Sequence, residues 1–523
     1  MSETFLFYIL LVLIILGLVM LAQKFRTAYP IVLVLGGLVL SLIPGIPDIS
    51  VEPEWIFVIF LPPLLYEAAW YTSWKEFWRW RRLISSFAFP VVVITAFGVA
   101  AFSVACIPGF TWALGFLLGG IVSPPDAVSA SAILKHIKVP RRIVSVLEGE
   151  SLLNDASSLI IFRFALIAVG TGHFAMEEAI GSFFLVVGMG ILIGLGVALV
   201  YYAIHRWLPT DPNIDIVLTL TAPYAMYLLA EMFHFSGVLA VVSGGLFLSS
   251  RSHLILSHSS RLRGTNVWSA LGFVLNGLVF MLIGLELPVI VDQLGDVGLG
   301  EAIVYGIAMT VFLIAIRMCC TFGAVVFTKF ISRYITTADP SPGVKAPVII
   351  GWAGMRGVVS LAAALSVPLV LANGQPFPQR NLILFITFSV ILLSLVVQGL
   401  TLPVVISWLN MEDPDKALPE EEQVEAIRRK LAARSLAILD ENHQQTVEAN
   451  RMLTQLRARY EHDQFGTAEE SAAYATVVLD LLDRQRSWLR EINRKNEVSE
   501  EVIRRYQTLL DLEQEKLQRW REK

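Results

Sequence analysis

The sequence predicts an all-α membrane protein, with about thirteen transmembrane helices over residues 1–410 and a polar helical tail over 411–523. Three observations predict it. The chain is 523 residues long, 55% hydrophobic and only 16% charged, where soluble domains carry about a quarter charged residues. Its charge is uneven: the segment after residue 410 holds 43 of the 84 charged residues, 19 basic and 24 acidic. The basic residues that remain fall in alternate loops, as they do in multi-span membrane proteins. This composition excludes a soluble globular domain, a disordered chain and a disulfide scaffold as whole-chain readings. The net charge of −4 gives no bulk attraction to nucleic acid. Cys106, Cys319 and Cys320 lie in apolar stretches without metal-type spacing and read as buried thiols.

A helical span needs about 20 mostly apolar residues. Such stretches occur at about 4–22, 30–48, 54–71, 83–106, 109–134, 143–169, 175–203, 214–234, 236–250, 267–291, 300–332, 345–372 and 380–410. The first, Thr4–Ala22, lacks a basic leader and a small-residue cleavage site and reads as a retained span. Lys24 and Arg26 follow span 1, and Lys75, Arg79, Arg81 and Arg82 follow span 3. Lys135, Lys138, Arg141 and Arg142 follow span 5, Arg206 follows span 7, and Arg251, Arg261 and Arg263 follow span 9. Lys329, Arg333 and Lys345 flank the loop after span 11, whereas the opposite loops hold only Arg380. This bias predicts an outside N-terminus and a cytoplasmic tail.

Two spans are interrupted. Span 5 carries Ser123-Pro124-Pro125-Asp126, where adjacent prolines remove backbone donors and break a helix. Span 12 carries Gly351-Trp352-Ala353-Gly354-Met355-Arg356-Gly357, three glycines around an arginine. Spans 5 and 12 are seven apart and run in opposite directions. Spans 3 and 10 share that offset, and each holds one glutamate, Glu67 and Glu286. The pattern predicts two inverted six-helix repeats joined by span 7. Broken helices at matching repeat positions mark the midplane site of a secondary transporter, although Pro and Gly are also common in membrane helices generally.

Ten ionisable residues fall inside spans: Glu67, Asp126, Glu148, Glu150, Asp155, Arg163, Glu231, Glu286, Arg317 and Arg356. Each costs about 2.5–3.5 kcal/mol or more at a helix centre and persists by pairing, by lining water or by chemistry. The densest group is in span 6, Glu148-Gly149-Glu150-Ser151-Leu152-Leu153-Asn154-Asp155. At helical spacing Ser151 shares a face with Asp155, and Glu150 with Asn154. Two carboxylates, an amide and a hydroxyl suit a hard monovalent cation. One carboxylate that binds either a cation or a proton couples the two movements by competition. Asp126 sits at the first break, beside freed carbonyls and helix ends. Arg356 sits at the second and needs a carboxylate partner, for which Glu150 is the candidate. The alternative is that these four charges only brace helices. Glu67, Glu286 and Arg317 read as structural pairs or funnel residues, and Arg163 as a field-tuning or snorkelling residue. Glu148, Glu231, His136 and His205 read as solvated positions near span ends and loops.

At these residues the chain resembles the monovalent cation:proton antiporters, specifically the NhaP-type sodium/proton exchangers. The resemblance rests on Ser123–Val128, Glu148–Ala156, Gly354–Val359, Phe60–Ala68 and Leu282–Leu287, in order and spacing over about residues 1–410. It implies an NhaA/NhaP-like fold with crossed broken helices. It also implies a homodimer in the cell inner (plasma) membrane, with a core of helices at about 83–169 and 300–410 that moves like an elevator. Asp155 would bind Na+ or H+, with Asp126 beside it as the second carboxylate at the Na+ site. Ser151 would supply an oxygen, Asn154 would structure the site, and Glu150 and Arg356 would form an inter-helix ion pair. An Asn-Asp pair goes with electroneutral one-for-one exchange in such relatives, and no enzyme activity or cofactor is implied. One position departs: a threonine usually precedes the broken-helix aspartate, and here it is Pro125, which leaves Li+ or K+ open as the cation. An uncoupled cation channel lacks support from any filter-like loop, and an organic-solute carrier would want more aromatic and polar variety around span 6.

The tail reads as three or four amphipathic helices. Pro419 followed by Glu420–Glu422 marks one start, and Thr467 with Glu470 a capping box. Ile503, Tyr506, Leu510, Leu517 and Trp520 follow a heptad-like stripe. A regulatory or dimer-stabilising domain and a solubilising appendage both fit.

Overall fold

Helix boundaries in the computed structural model follow the sequence's own punctuation. The structure describes residues 2–25, 27–43, 56–134, 137, 139–172, 176–292, 294, 298–332, 343–371, 374–411, 420–465, 468–494 and 500–521. Pro419, Thr467, Arg26, Lys135, His136, Lys138 and Arg333 lie outside them, as do the side chains of Glu470, Leu517 and Trp520. Among the described residues every regular element is a helix. The chain divides into two compact units, Met1–Asp413 and Pro414–Lys523.

The first unit begins with α1 (Ser2–Lys24), α2 (Tyr29–Ser41) and α3 (Leu61–Tyr71). Then α4 (Trp74–Ser86) runs through a π-helical turn at Phe87–Val91 into α5 (Val92–Cys106). The interrupted fifth span is α6 (Trp112–Val122) and α7 (Ala127–Leu134). It is followed by α8 (Arg141–Thr171), α9 (Met176–Trp207), α10 (Pro212–Met232) and α11 (Gly237–Ser250). After a single turn at Ser252–Ile255 come α12 (His258–Leu285), α13 (Leu287–Asp292) and α14 (Leu299–Ile331). The second interrupted segment is α15 (Lys345–Trp352) and α16 (Val358–Leu365), before α17 (Arg380–Leu393) and α18 (Gly399–Leu409).

Side chains that accept exposed backbone N–H groups fix several starts. Ser73 accepts from Glu76, Thr111 from Leu114, Asp211 from Asn213 and Ile214, Ser236 from Leu239, and Ser257 from Ser260. Among the described residues, eight helical segments are long and apolar enough to cross a membrane: Trp74–Cys106, Trp112–Leu134, Arg141–Thr171, Gly181–Trp207, Pro212–Met232, His258–Asp292, Leu299–Phe330 and Arg380–Leu409. Shorter apolar helices at Ile9–Lys24, Tyr29–Ser41, Phe57–Tyr71 and Gly237–Ser250, with the interrupted α15–α16 pair, stand at the other positions where the sequence places spans. Small residues let backbones meet, as membrane packing requires. A Cβ on Gly284 of α12 would lie 2.2 Å from the Val34 carbonyl of α2, and one on Gly37 2.4 Å from that of Met281.

The second unit contains α19 (Glu420–Asn442), α20 (Gln444–Ala449), α21 (Arg451–Phe465), α22 (Ala468–Arg494) and α23 (Glu500–Arg521). Arg457 of α21 pairs with Asp440 of α19 at 3.3 Å, and Arg486 of α22 with Asp511 of α23 at 2.7 Å. The heptad-like stripe is not one seam: Ile503 is buried, Leu510 half-buried, and Tyr506 56% exposed.

Candidate ion-binding site

Two breaks and one continuous helix build the site. The Pro124-Pro125 pair ends α6, and Asp126 starts α7 as its cap. Its Oδ1 accepts from the Val128 N–H (3.0 Å), and its Oδ2 from the Ser129 N–H (3.4 Å) and hydroxyl (2.6 Å). Ser129 is a partner that inspection of charged residues alone passes over. Its signal is the spacing, a serine three positions after a capping aspartate. The second break, Ala353–Gly357, meets the first through the main chain: the Asp126 N–H donates to the Met355 carbonyl at 2.6 Å. Gly357 lies flat against the Asp126 carboxylate, and a Cβ there would sit 2.3 Å from Oδ2.

Helix α8 packs across the first break and holds it. Asn154 Nδ2 donates to the Pro125 carbonyl (2.9 Å), and Ser151 Oγ accepts from the Ala127 N–H (3.2 Å). The sequence reading gave Ser151 an ion-ligand role; its hydroxyl oxygen also holds the start of α7, with a second lone pair left over. The Pro125 carbonyl, which accepts from Asn154, likewise keeps a second lone pair. Asn154 is fully buried, and its Oδ1 accepts no hydrogen bond.

Asp155 lies one residue further on, only 7% exposed and within electrostatic range of Asp126. Its carboxylate makes no hydrogen bond or ion pair among the described residues. The two aspartates therefore differ: the protein satisfies Asp126 and leaves Asp155 unsatisfied. A buried carboxylate without a partner is costly, and a bound cation or proton relieves that cost. No group of three His, Cys, Asp or Glu is assembled among the described residues. The available donors are carboxylate and amide oxygens, a set suited to a hard cation.

The buried ion pair differs from the one the sequence reading assigned. Glu150 does not pair with Arg356. Glu150 takes Arg317 of α14 in a two-pronged bridge, Nη1–Oε1 at 2.5 Å and Nη2–Oε2 at 2.8 Å, with both side chains at most 2% exposed. The Arg317 guanidinium also lies 5.3 Å over the Phe87 ring. Arg356 instead donates from Nε to the Val122 carbonyl (3.0 Å) and from Nη1 to the Gly354 carbonyl, while Ser394 Oγ accepts from its N–H (3.1 Å). Carbonyls freed by the two breaks thus serve the guanidinium in place of a carboxylate.

The remaining intramembrane charges are placed as follows. Glu67 of α3 packs against Gly272 of α12, and Glu286 is buried at the end of α12. Glu148 accepts from Ser131 at 3.4 Å. Arg163, read as a field-tuning or snorkelling residue, and Glu231, read as solvated, bridge α8 to α10 at 2.5 Å, and Glu231 also accepts from the Gly237 N–H. His205 is not solvated. Its Nδ1 is 2.8 Å from Asp215 Oδ1, both side chains are at most 4% exposed, and Ser260 Oγ donates to Asp215 Oδ2 at 2.6 Å.

The comparisons agree with this architecture. An uncharacterised Na+/H+ exchanger of Mycobacterium tuberculosis is 32% identical over 95% of this chain and 93% of its own length. A sodium, potassium, lithium and rubidium/H+ antiporter of Bacillus pumilus is 32% identical over 79% of this chain and 62% of its own. The solved sodium proton antiporter MjNhaP1 of Methanocaldococcus jannaschii superposes with a TM-score of 0.61 at 18% identity, covering 77% of this chain and 97% of that one. That likeness shows the antiporter fold. Residues 9–408 match the family described as sodium/hydrogen exchanger, transmembrane. A buried Asp155 with no partner among the described residues, on the helix bonded to the first of two joined breaks, is thus found in a chain that belongs to the sodium/hydrogen exchanger family, a family of transporters and not enzymes.

Proposed function

We propose that the protein is a secondary active antiporter that exchanges Na+ for H+ across the cell membrane, one for one, by alternating access. One observation carries the reading: the Asp155 carboxylate is buried within electrostatic range of Asp126 and has no partner among the described residues. In each half-cycle it holds either a cation or a proton, so the two ions compete for one group. Asn154 Oδ1 is the neighbouring acceptor that a cation would take. Asp126 and Ser151 fix the geometry around it, with Asp126 adding the second negative charge. Sodium here is cargo and not a resident metal.

The test is proteoliposomes loaded with a pH-sensitive dye. A sodium gradient should drive proton flux in the wild type, and Asp155→Asn should abolish it. Undiminished flux in that variant, or current that follows voltage without any dye response, would sink the proposal. An imposed membrane potential should leave the exchange rate unchanged.

A second reading, exchange that also accepts Li+ or K+, has its own support. Position 125 offers no hydroxyl, only a carbonyl that also accepts from Asn154, so a tight oxygen cage lacks one side-chain ligand there. The Bacillus pumilus relative is named for several alkali cations. Comparing Na+, Li+ and K+ in the same vesicles decides it. Inverted six-helix repeats, a homodimer, an outside N-terminus, an elevator-like core over about 83–169 and 300–410, and a regulatory helical domain over 411–523 complete the proposal. Truncation after residue 415 should leave transport in place and alter its pH profile, and an identical profile removes the regulatory role.

A further inference from the structure

Helix α4 is the feature that the transport site does not use. Its sequence, Trp74-Lys75-Glu76-Phe77-Trp78-Arg79-Trp80-Arg81-Arg82, sets four basic residues and three tryptophans against one acid. It is continuous with α5 in a helical segment of 33 residues, Trp74–Cys106. At 1.5 Å per residue that segment is about 50 Å long, whereas the hydrocarbon core is about 30 Å thick. About thirteen residues lie beyond it, and α4 has 13 residues.

The two faces of α4 differ. One face is anchored: Trp80 is 6% exposed, and Ile84 is buried against Gly149 of α8, where a Cβ would lie 2.5 Å from its Cδ1. The other face is open. Trp74 and Trp78 are 46% and 53% exposed and stack at 5.6 Å between ring centroids. The Arg81 guanidinium lies 4.5 Å over the Trp78 ring, and that of Arg79 5.3 Å over Trp80. Guanidinium groups interleaved with exposed indoles, at the point where a helix leaves the hydrocarbon, match the charge and depth of a phospholipid headgroup layer. An acidic protein partner would match the charge of the arginines but would not explain exposed indoles at that depth.

We propose that α4 is a binding site for anionic phospholipid headgroups, and that its occupancy steadies the helix that carries the ion site. The second half follows from what α4 leads into. Phe87 lies under Arg317, and the Ala88 carbonyl accepts from Ser157 Oγ at 2.5 Å, two residues past Asp155. A lipid holding α4 therefore holds one wall of α8.

Native mass spectrometry of the full chain, exchanged into micelles with phosphatidylglycerol or phosphatidylcholine, tests the first half. The wild type should retain phosphatidylglycerol, added inorganic phosphate should not displace it, and K75Q/R79Q/R81Q/R82Q should retain roughly tenfold less. Arginine-to-lysine replacements at 79, 81 and 82 should keep it. Equal retention by the folded Gln variant, or displacement by free phosphate, overturns the site. If the quadruple variant does not elute as a single species, R81Q and W78A take its place, and each should lower retention; unchanged retention in both overturns the site. This readout stands even if the chain moves no sodium. For the second half, sodium-dependent proton flux is compared in phosphatidylcholine vesicles and in an equal mixture with phosphatidylglycerol. The wild type should gain about threefold and the Gln variant nothing. Because both feel the same surface potential, an equal gain in both overturns the coupling to α8.

Discussion

The pairing of Glu150 with Arg317 makes the sharpest quantitative prediction. Both side chains are at most 2% exposed, and two parallel N–H···O bonds join them. Replacing either residue alone by glutamine leaves the other charge buried without its partner, which costs about 3–5 kcal/mol. Replacing both removes the charge imbalance and recovers part of that loss. The coupling in a double-mutant cycle should therefore fall near the top of the range for residues in one network, about 2–3 kcal/mol. At 1.4 kcal/mol per tenfold, that is a factor of roughly 30 to 150 in the unfolding constant. The same cycle between Glu150 and Arg356 should give under about 1 kcal/mol, because carbonyls of Val122 and Gly354 hold the Arg356 guanidinium. The assay is reversible unfolding of the detergent-purified chain in sodium dodecyl sulfate mixed micelles, followed by far-ultraviolet circular dichroism. A 150/356 coupling as large as the 150/317 coupling would refute the assignment.

Two further outcomes follow from close contacts. Gly357→Ala places a methyl group 2.3 Å from Asp126 Oδ2, so the chain should fold with a loss of about 1–3 kcal/mol while sodium-dependent proton flux falls at least tenfold; flux at the wild-type rate would contradict the contact. His205→Ala leaves Asp215 with the Ser260 hydroxyl as its remaining side-chain partner, and thermal unfolding in detergent should show a loss of roughly 1.5–3 kcal/mol, with no loss expected only if His205 is solvated.

Legibility of the site in the sequence depended on how local each cause is. The two breaks are written in the residues that make them, Pro124-Pro125 and the glycines around Arg356, because proline and glycine act on their own backbone. The Ser151, Asn154 and Asp155 stripe is readable for the same reason, since helical spacing alone puts these side chains together. Partnership is a different matter. Arg317 lies 167 positions from Glu150, and nothing in either neighbourhood selects one buried arginine over another. Arg356 looked like the partner because it sits at a break, yet the two breaks free carbonyls that accept from its Nε and Nη1. His205 reads as solvated, and its partner Asp215 draws no notice, because both flank a loop, where solvation is the default. The packing of α9, α10 and α12 around them reverses that default. The same holds for Glu231, whose partner Arg163 lies on another helix.

The joint between the two breaks is a main-chain bond, Asp126 N–H to Met355 carbonyl, and main-chain bonds do not depend on which side chains flank them. The crossing can thus survive exchanges at position 125 or 355 that would dismantle a joint made of side chains. A lineage, or an engineer, can vary the oxygen lining next to Asp155 while the scaffold that aims it stays fixed. On the proposed reading of Asp155, cation preference is then set at a few positions around a fixed scaffold, and a shift from one alkali ion to another need not begin with a new fold.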